Sequence, residues 1–305
     1  MWLLSTSRAE LTYFANPSQV RFAILSHVWR ENEQSFQDVQ QLQTQYASGN
    51  PRDHTSEKIK RCCLYAEQHG FKWVWVDTCC IDKSSSAELS EAINSMYKWY
   101  AGAAVCYVFL DDVGDEEDPR DTPFAHSEWF TRGWTLQELI APTSLLFLSR
   151  HWRTLGTKYD MAEFLKTITG IDVPILRHEM PLSSISVARR MSWAARRQTT
   201  RIEDRAYSLM GLFGIHMTPI YGEGTKAFIR LQQEIIKHSP DHSIFAWGPI
   251  HQPARIPFSI YKSAFLGHLW IPAQHHLWPV VRSELLSFDL GDLGWHAAPR
   301  ERKIV

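Results

Sequence analysis

Four continuous apolar runs punctuate the first half of the chain: residues 22–26 (FAILS), 73–77 (WVWVD), 104–110 (AVCYVFL) and 144–149 (SLLFLS). Runs of this length without polar alternation predict strands buried on both faces. Between them the apolar period changes to that of a helix. After Ser56, residues Ile59, Cys62, Cys63 and Ala66 share one face and Gly70 marks the stop. Ser85 with Glu88 reads as a capping box, followed by Leu89, Ile93, Met96, Tyr97 and Tyr100 at helical spacing. Residues 134–140 read as a third, short helix between Gly133 and Pro142. The resulting β-α-β-α-β-α-β order predicts an α/β fold with a parallel sheet flanked by helices. Residues 1–21 read as a lead-in.

After residue 150 the pattern is helical. It predicts helices over 160–169, ending at Gly170, and over 185–197, whose Arg189, Arg190, Arg196 and Arg197 could meet a phosphate but read more simply as a solvated face. A capping box at Thr200 and Glu203 opens a third helix through Leu212, and residues 223–238 form a fourth. Residues 249–305 lose periodicity. The organisation expected is a domain over 1–248, with an α/β core over about 20–150 and a helical part over about 155–240, and an extension over 249–305.

Composition narrows the function classes. The 305 residues are 44% hydrophobic, enough for a sizeable core, and the net charge of −1 does not point to nucleic acid or an anionic membrane. No apolar run approaches a membrane span, and the N-terminus lacks the basic and apolar regions of a signal peptide. Five cysteines include two adjacent doublets, Cys62–Cys63 and Cys79–Cys80, without zinc-site spacing. Reduced thiols and a cytoplasmic location are expected.

Candidate chemistry collects at the strand ends. His27, Trp29 and Arg30 leave the first run directly. Asp77 and Asp82 flank the loop after the second, so a parallel sheet places them beside His27. His27 serves equally as a core histidine, and Asp77 as a cap for turn amides. The stretch 127–142 (SEWFTRGWTLQELIAP) sets Arg132, Trp134 and Glu138 together, with Trp134 and Glu138 one helical turn apart. Glu138 is either a held carboxylate or a solvated helix residue. The acidic loop 111–123 offers carboxylates for a cation but reads as a solvated surface, so no metal is assigned. GEGTK at 222–226 lacks the G-K-[ST] of a phosphate-cradling loop.

LSHVW at 25–29, WVWVDTCCIDK at 73–83, SEAINSMYKWY at 90–100, WFTRGWTLQELIAP at 129–142, EDRAYSLMGLFGI at 203–215 and IYGEG at 220–224 together resemble the fungal heterokaryon incompatibility (HET) domain. That resemblance implies a role in non-self recognition ending in programmed cell death, and an upstream NLR-type receptor as partner. The segment also resembles Toll/interleukin-1 receptor (TIR) domains, which implies a TIR-like sheet. WTLQEL resembles the segment whose glutamate is catalytic in TIR enzymes that cleave NAD, with Thr135 in the place of a cysteine. Carried over, Glu138 is the catalytic residue. Ser26, His27, Trp29, Arg30, Asp77, Asp82, Arg132 and Trp134 line the substrate crevice. NAD is then a substrate with no cofactor, and self-association completes the site. A non-enzymatic oligomerisation module and a metal-dependent nucleotide- or nucleic-acid-cleaving enzyme are the alternatives.

Overall fold

The computed structural model describes residues 1–115 and 123–245. A seven-stranded sheet organises them: β1 (Trp2–Ser5), β2 (Leu11–Tyr13), β3 (Ala23–His27), β4 (Trp73–Trp75), β5 (Val105–Phe109), β6 (Leu145–Leu148) and β7 (Thr154–Thr157), in the order β2-β1-β4-β3-β5-β6-β7. The four predicted strands form its parallel core, β4-β3-β5-β6. All five residues of β3 are buried, because β3 has a strand on either side and helical cover. The fold is α/β, as the alternation of runs predicts. Residues 1–21 are not a lead-in: β1 pairs antiparallel with β4 and β2 with β1, and Leu3 and Leu4 are fully buried. Two strands of four and three residues are too short to show a period. The sheet also continues past residue 150, with β7 antiparallel to β6.

Helices join the parallel strands. α1 (Phe36–Gln45) and α2 (Glu57–Gln68) lie between β3 and β4, α3 (Ser86–Gly102) between β4 and β5, and α4 (Thr135–Ile140) between β5 and β6. Ser56 and Ser85 cap α2 and α3 as expected. The unpredicted α1 buries only Phe36 and Val39, too few apolar positions to show a stripe, but Ser35 and Asp38 form a full capping box at its start. α4 packs on β3 and on α3. That contact carries the candidate site.

The C-terminal helices are shorter than the pattern suggests: α5 (Ala162–Thr169), α6 (Val173–Leu176), α7 (Val187–Ala194), α8 (Asp204–Tyr207), α9 (Met210–Phe213) and α10 (Lys226–His238). Gly170 ends α5 in the left-handed conformation, φ 73°, as read from the sequence. Thr200 and Glu203 do not form the expected capping box. Glu203 instead accepts hydrogen bonds from the amides of Gly222 and Gly224, at 2.9 and 3.0 Å. The protein's own carboxylate thus occupies the glycine loop. The extension over 249–305, with the boundary before it, lies outside the described residues, as does most of the acidic loop. No described helix is long and apolar enough to cross a membrane.

Close packing between α3 and α9 depends on Gly211. A Cβ there would lie 2.2 Å from Cβ of Tyr97, an atom fixed to the α3 backbone. Gly211→Ala is expected to push the helices apart and destabilise the fold by about 1–3 kcal/mol. A lowered thermal midpoint would register this, and an unchanged midpoint would contradict the packing.

Candidate functional site

The parallel strands run in the order second-first-third-fourth, so chain direction across the sheet reverses between β3 and β5. In open α/β sheets the crevice beyond the strand ends at such a reversal is where ligands bind. The sequence places Ser26 and His27 at the end of β3 here. Because neighbouring strand residues point to opposite faces, they enter two different environments.

Ser26 faces α4. Its hydroxyl donates to Oε2 of Glu138 and accepts a 2.7 Å hydrogen bond from the indole of Trp129. Glu138 is only 4% exposed, and Ser26 and Trp129 are fully buried. Burial pushes the Glu138 carboxyl up to about 8, the charge of Asp77 adds to this, and Ser26, Tyr100 and Arg197 oppose it. The Tyr100 hydroxyl donates to the Leu25 carbonyl at 2.9 Å and also bonds Glu138. In this closed arrangement burial favours the neutral carboxyl. Of the two readings open from sequence, the solvated helix residue is the one the burial removes.

His27 faces a polar cluster instead. Its Nδ1 lies 3.0 Å from the Lys58 ammonium, which can only donate, so Nε2 carries the proton and gives it to Oδ1 of Asp77 at 3.0 Å. Lys58 also binds Glu33 and the Val28 carbonyl. Oδ2 of Asp77 accepts from the Trp29 indole at 2.7 Å, and Lys83 sits 3.9 Å above that ring. Burial pushes Asp77 upward, but the hydrogen bond from His27, with the charge of Lys83 and the bond from Trp29, outweighs it and holds the carboxylate below its ordinary value. Arg30 closes the rim through a two-pronged pair with Asp111 at 2.6 Å and a 2.8 Å bond to Glu128.

The nine sequence-derived residues therefore divide. Ser26 and Glu138 meet, as do His27, Trp29 and Asp77, and Arg30 stands at the rim. Asp82 turns to its own loop, holding Ser84 and Gln37. Trp134 starts α4 and its indole is bound to Asp204 of α8 rather than placed with Glu138. Arg132 contributes its backbone, pairing with Gln198 and accepting from Arg197. Sequence reasoning sets Trp129 beside Trp134 without giving it a role in the site, and misses Tyr100, Lys58, Lys83, Glu33 and Arg197 there. For Trp129 a signal existed, since a buried indole N–H needs a partner. The four arginines read as one solvated face are not that. Arg189 pairs with Asp172, Arg190 reaches the Leu212 carbonyl and Arg197 is drawn inward, leaving only Arg196 exposed.

Behind α4, the buried ammonium of Lys158 donates to the carbonyls of Leu139 and Pro142 and contacts His178 at 3.1 Å. A cation at the last carbonyls suits the negative helix end and anchors the segment that carries Glu138. Desolvation pulls this lysine down to about 7. Among the described residues, no group of three or more His, Cys, Asp or Glu could hold a metal ion. Asp111, Asp112 and Asp115 bind Arg30, Ser127 and Ser149 respectively.

Fold and site define an open-sheet α/β protein with a buried acid and a polar crevice at the sheet's reversal. Residues 22–124 match the heterokaryon incompatibility protein (HET) family, and residues 226–272 match a domain of unknown function, DUF8212. Vegetative incompatibility protein HET-E-1 of Podospora anserina is 48% identical over 225 residues, covering 71% of this chain and 16% of that protein. The chain belongs to the heterokaryon incompatibility domain family. It spans about a sixth of the length of that relative. No solved structure matches it.

Proposed function

We propose that the chain is a death effector in heterokaryon (vegetative) incompatibility and acts by hydrolysing NAD to nicotinamide and ADP-ribose products, with Glu138 as the catalytic carboxylate. The observation that carries this reading is the position of Glu138: a buried carboxyl hydrogen-bonded to the end of the central strand, at the sheet's reversal. The resemblance of WTLQEL to the catalytic segment of TIR enzymes and the name of the 48% identical relative support it from the sequence side.

Breaking the nicotinamide–ribose bond develops positive charge on the ribose, as in other glycosidic cleavages. Nicotinamide leaves as a neutral group, so the main demand is a fixed negative charge beside that centre in a water-poor pocket. Ionised Glu138 supplies the charge, and Ser26 holds the carboxylate through its hydroxyl. Trp29, at 44% exposure, offers a ring face to a base, and Arg30 at the rim would meet a diphosphate by exchanging its Asp111 and Glu128 partners, with His27 behind it. The closed carboxyl is protonated and shielded, so substrate entry has to open the site and allow ionisation. Self-association of the chain and an upstream NLR-type receptor would supply that opening. The chain works in the cytoplasm, where NAD is available.

Expression in cells tests the biological half. Wild-type protein is expected to arrest growth and deplete NAD, and Glu138→Gln at equal protein level to do neither. Undiminished toxicity in that variant would remove the enzymatic account.

A further inference from the structure

Arg197 links the helical part of the fold to the acid site. Residues 197–199 run directly against 131–133: the Gly133 amide donates to the Gln198 carbonyl at 2.7 Å, and the Gln198 amide to the Thr131 carbonyl at 2.6 Å. Gly133 permits this approach, since a Cβ there would lie 2.5 Å from Cγ2 of Thr199. From this strap the Arg197 guanidinium donates to the Arg132 carbonyl at 2.9 Å and to Oγ1 of Thr135 at 2.8 Å. Thr135 in turn donates to the Trp129 carbonyl at 2.5 Å, and the Trp129 indole donates to Ser26, which donates to Glu138. Two runs of hydrogen bonds, joined through the covalent frame of Trp129, thus link Arg197 to the acid, and the charge of Arg197 also acts on that acid directly.

We propose that Arg197 is a positioning residue for Glu138: it braces the first turn of α4 and Trp129, so that the Ser26 hydroxyl stays aimed at the carboxyl, and it sets a positive charge beside the acid. This rests on the reading of Glu138 as the catalytic group. The other groups facing Glu138 are Ser26 from β3, Asp77 from the end of β4, Tyr100 from α3 and Cys106 from β5. None of them is a cation. Arg197 therefore adds a positive charge to the Ser26 and Tyr100 hydrogen bonds that favour the ionised acid, and it comes from outside the sheet. Movement of the strap would alter the acid without touching the crevice.

Infrared difference spectroscopy of the carboxyl C=O band, assigned by its loss in Glu138→Gln, tests this on the purified chain. In Arg197→Gln the band is expected to titrate at higher pH, by about tenfold in proton affinity or more. The pH profile of nicotinamide release should move by the same amount with little change in KM. Arg197→Lys, whose ammonium does not reproduce the planar two-acceptor fork, should fall between the two, and it carries the test if the glutamine variant does not fold. A folded variant whose band titrates as wild type would overturn the proposal. A shifted band in protein that never releases nicotinamide would sink the enzymatic reading and leave the positioning role standing. Release with an unshifted band would sink the positioning role alone.

Discussion

Glu138→Gln is expected to melt at a higher temperature than the wild type in alkaline buffer and at nearly the same temperature in acid. The Glu138 carboxyl moves from 4.5 in an open chain to about 8 in the fold, chiefly through burial. The folded state therefore keeps a proton that the unfolded state has lost. For an acid raised in this way the stabilising contribution is complete below 4.5, declines as pH rises between the two values, and is gone above about 8. Over the whole window the loss is about 5 kcal/mol as an upper limit. Glutamine mimics the protonated acid, and its oxygen accepts from Ser26. It does not titrate, so the gap between the two proteins opens with pH, by on the order of 10 °C at full extent for a domain of this size. The carboxylates held low, such as Asp77, are common to both proteins and cancel in the comparison. A constant gap at every pH, with glutamine the less stable, would contradict the protonated, closed acid.

The second large effect is on rate. With Glu138 as the proposed catalytic carboxylate, cleavage would need the ionised form while the closed site favours the neutral one, so nicotinamide release should climb with pH through about 8 before other groups intervene. On that upper limb Glu138→Gln should lose about a hundred- to a thousandfold, the usual cost of removing one electrostatic contact made to the transition state. A rate already flat below the titration of Glu138 would mean that opening, rather than bulk pH, ionises the acid. In that case the loss in the variant persists while the alkaline rise disappears.

How far the sequence speaks depends on the length of each signal. The parallel core is legible because each of its strands is an unbroken apolar run bounded by helix caps such as Ser56 and Ser85. β1 and β2 escape because seven residues in two strands carry no period, and α1 because only Phe36 and Val39 are buried. The crevice is partly legible. A strand end at His27 and another at Asp77 are local facts, and a parallel sheet brings them together. The bond from Ser26 to Glu138 spans 112 residues and depends on how α4 seats on β3, which no local pattern states. Lys58 lies on a helix whose stripe explains it as a solvated residue, yet its tip determines which nitrogen of His27 carries the proton. Arg197 is hidden in a run of four arginines that look alike in sequence and separate only when α7 ends at Ala194 and the strap turns inward.

The proposed cleavage of NAD by Glu138 is tested most directly by nicotinamide release from NAD by the purified chain, wild type against Glu138→Gln, at a pH above the Glu138 titration and at rising protein concentration. Release by the wild type should steepen with concentration as self-association opens the site, and the variant should lose nearly all of it. Equal release by both proteins, or none from a folded wild type at any concentration, would contradict it.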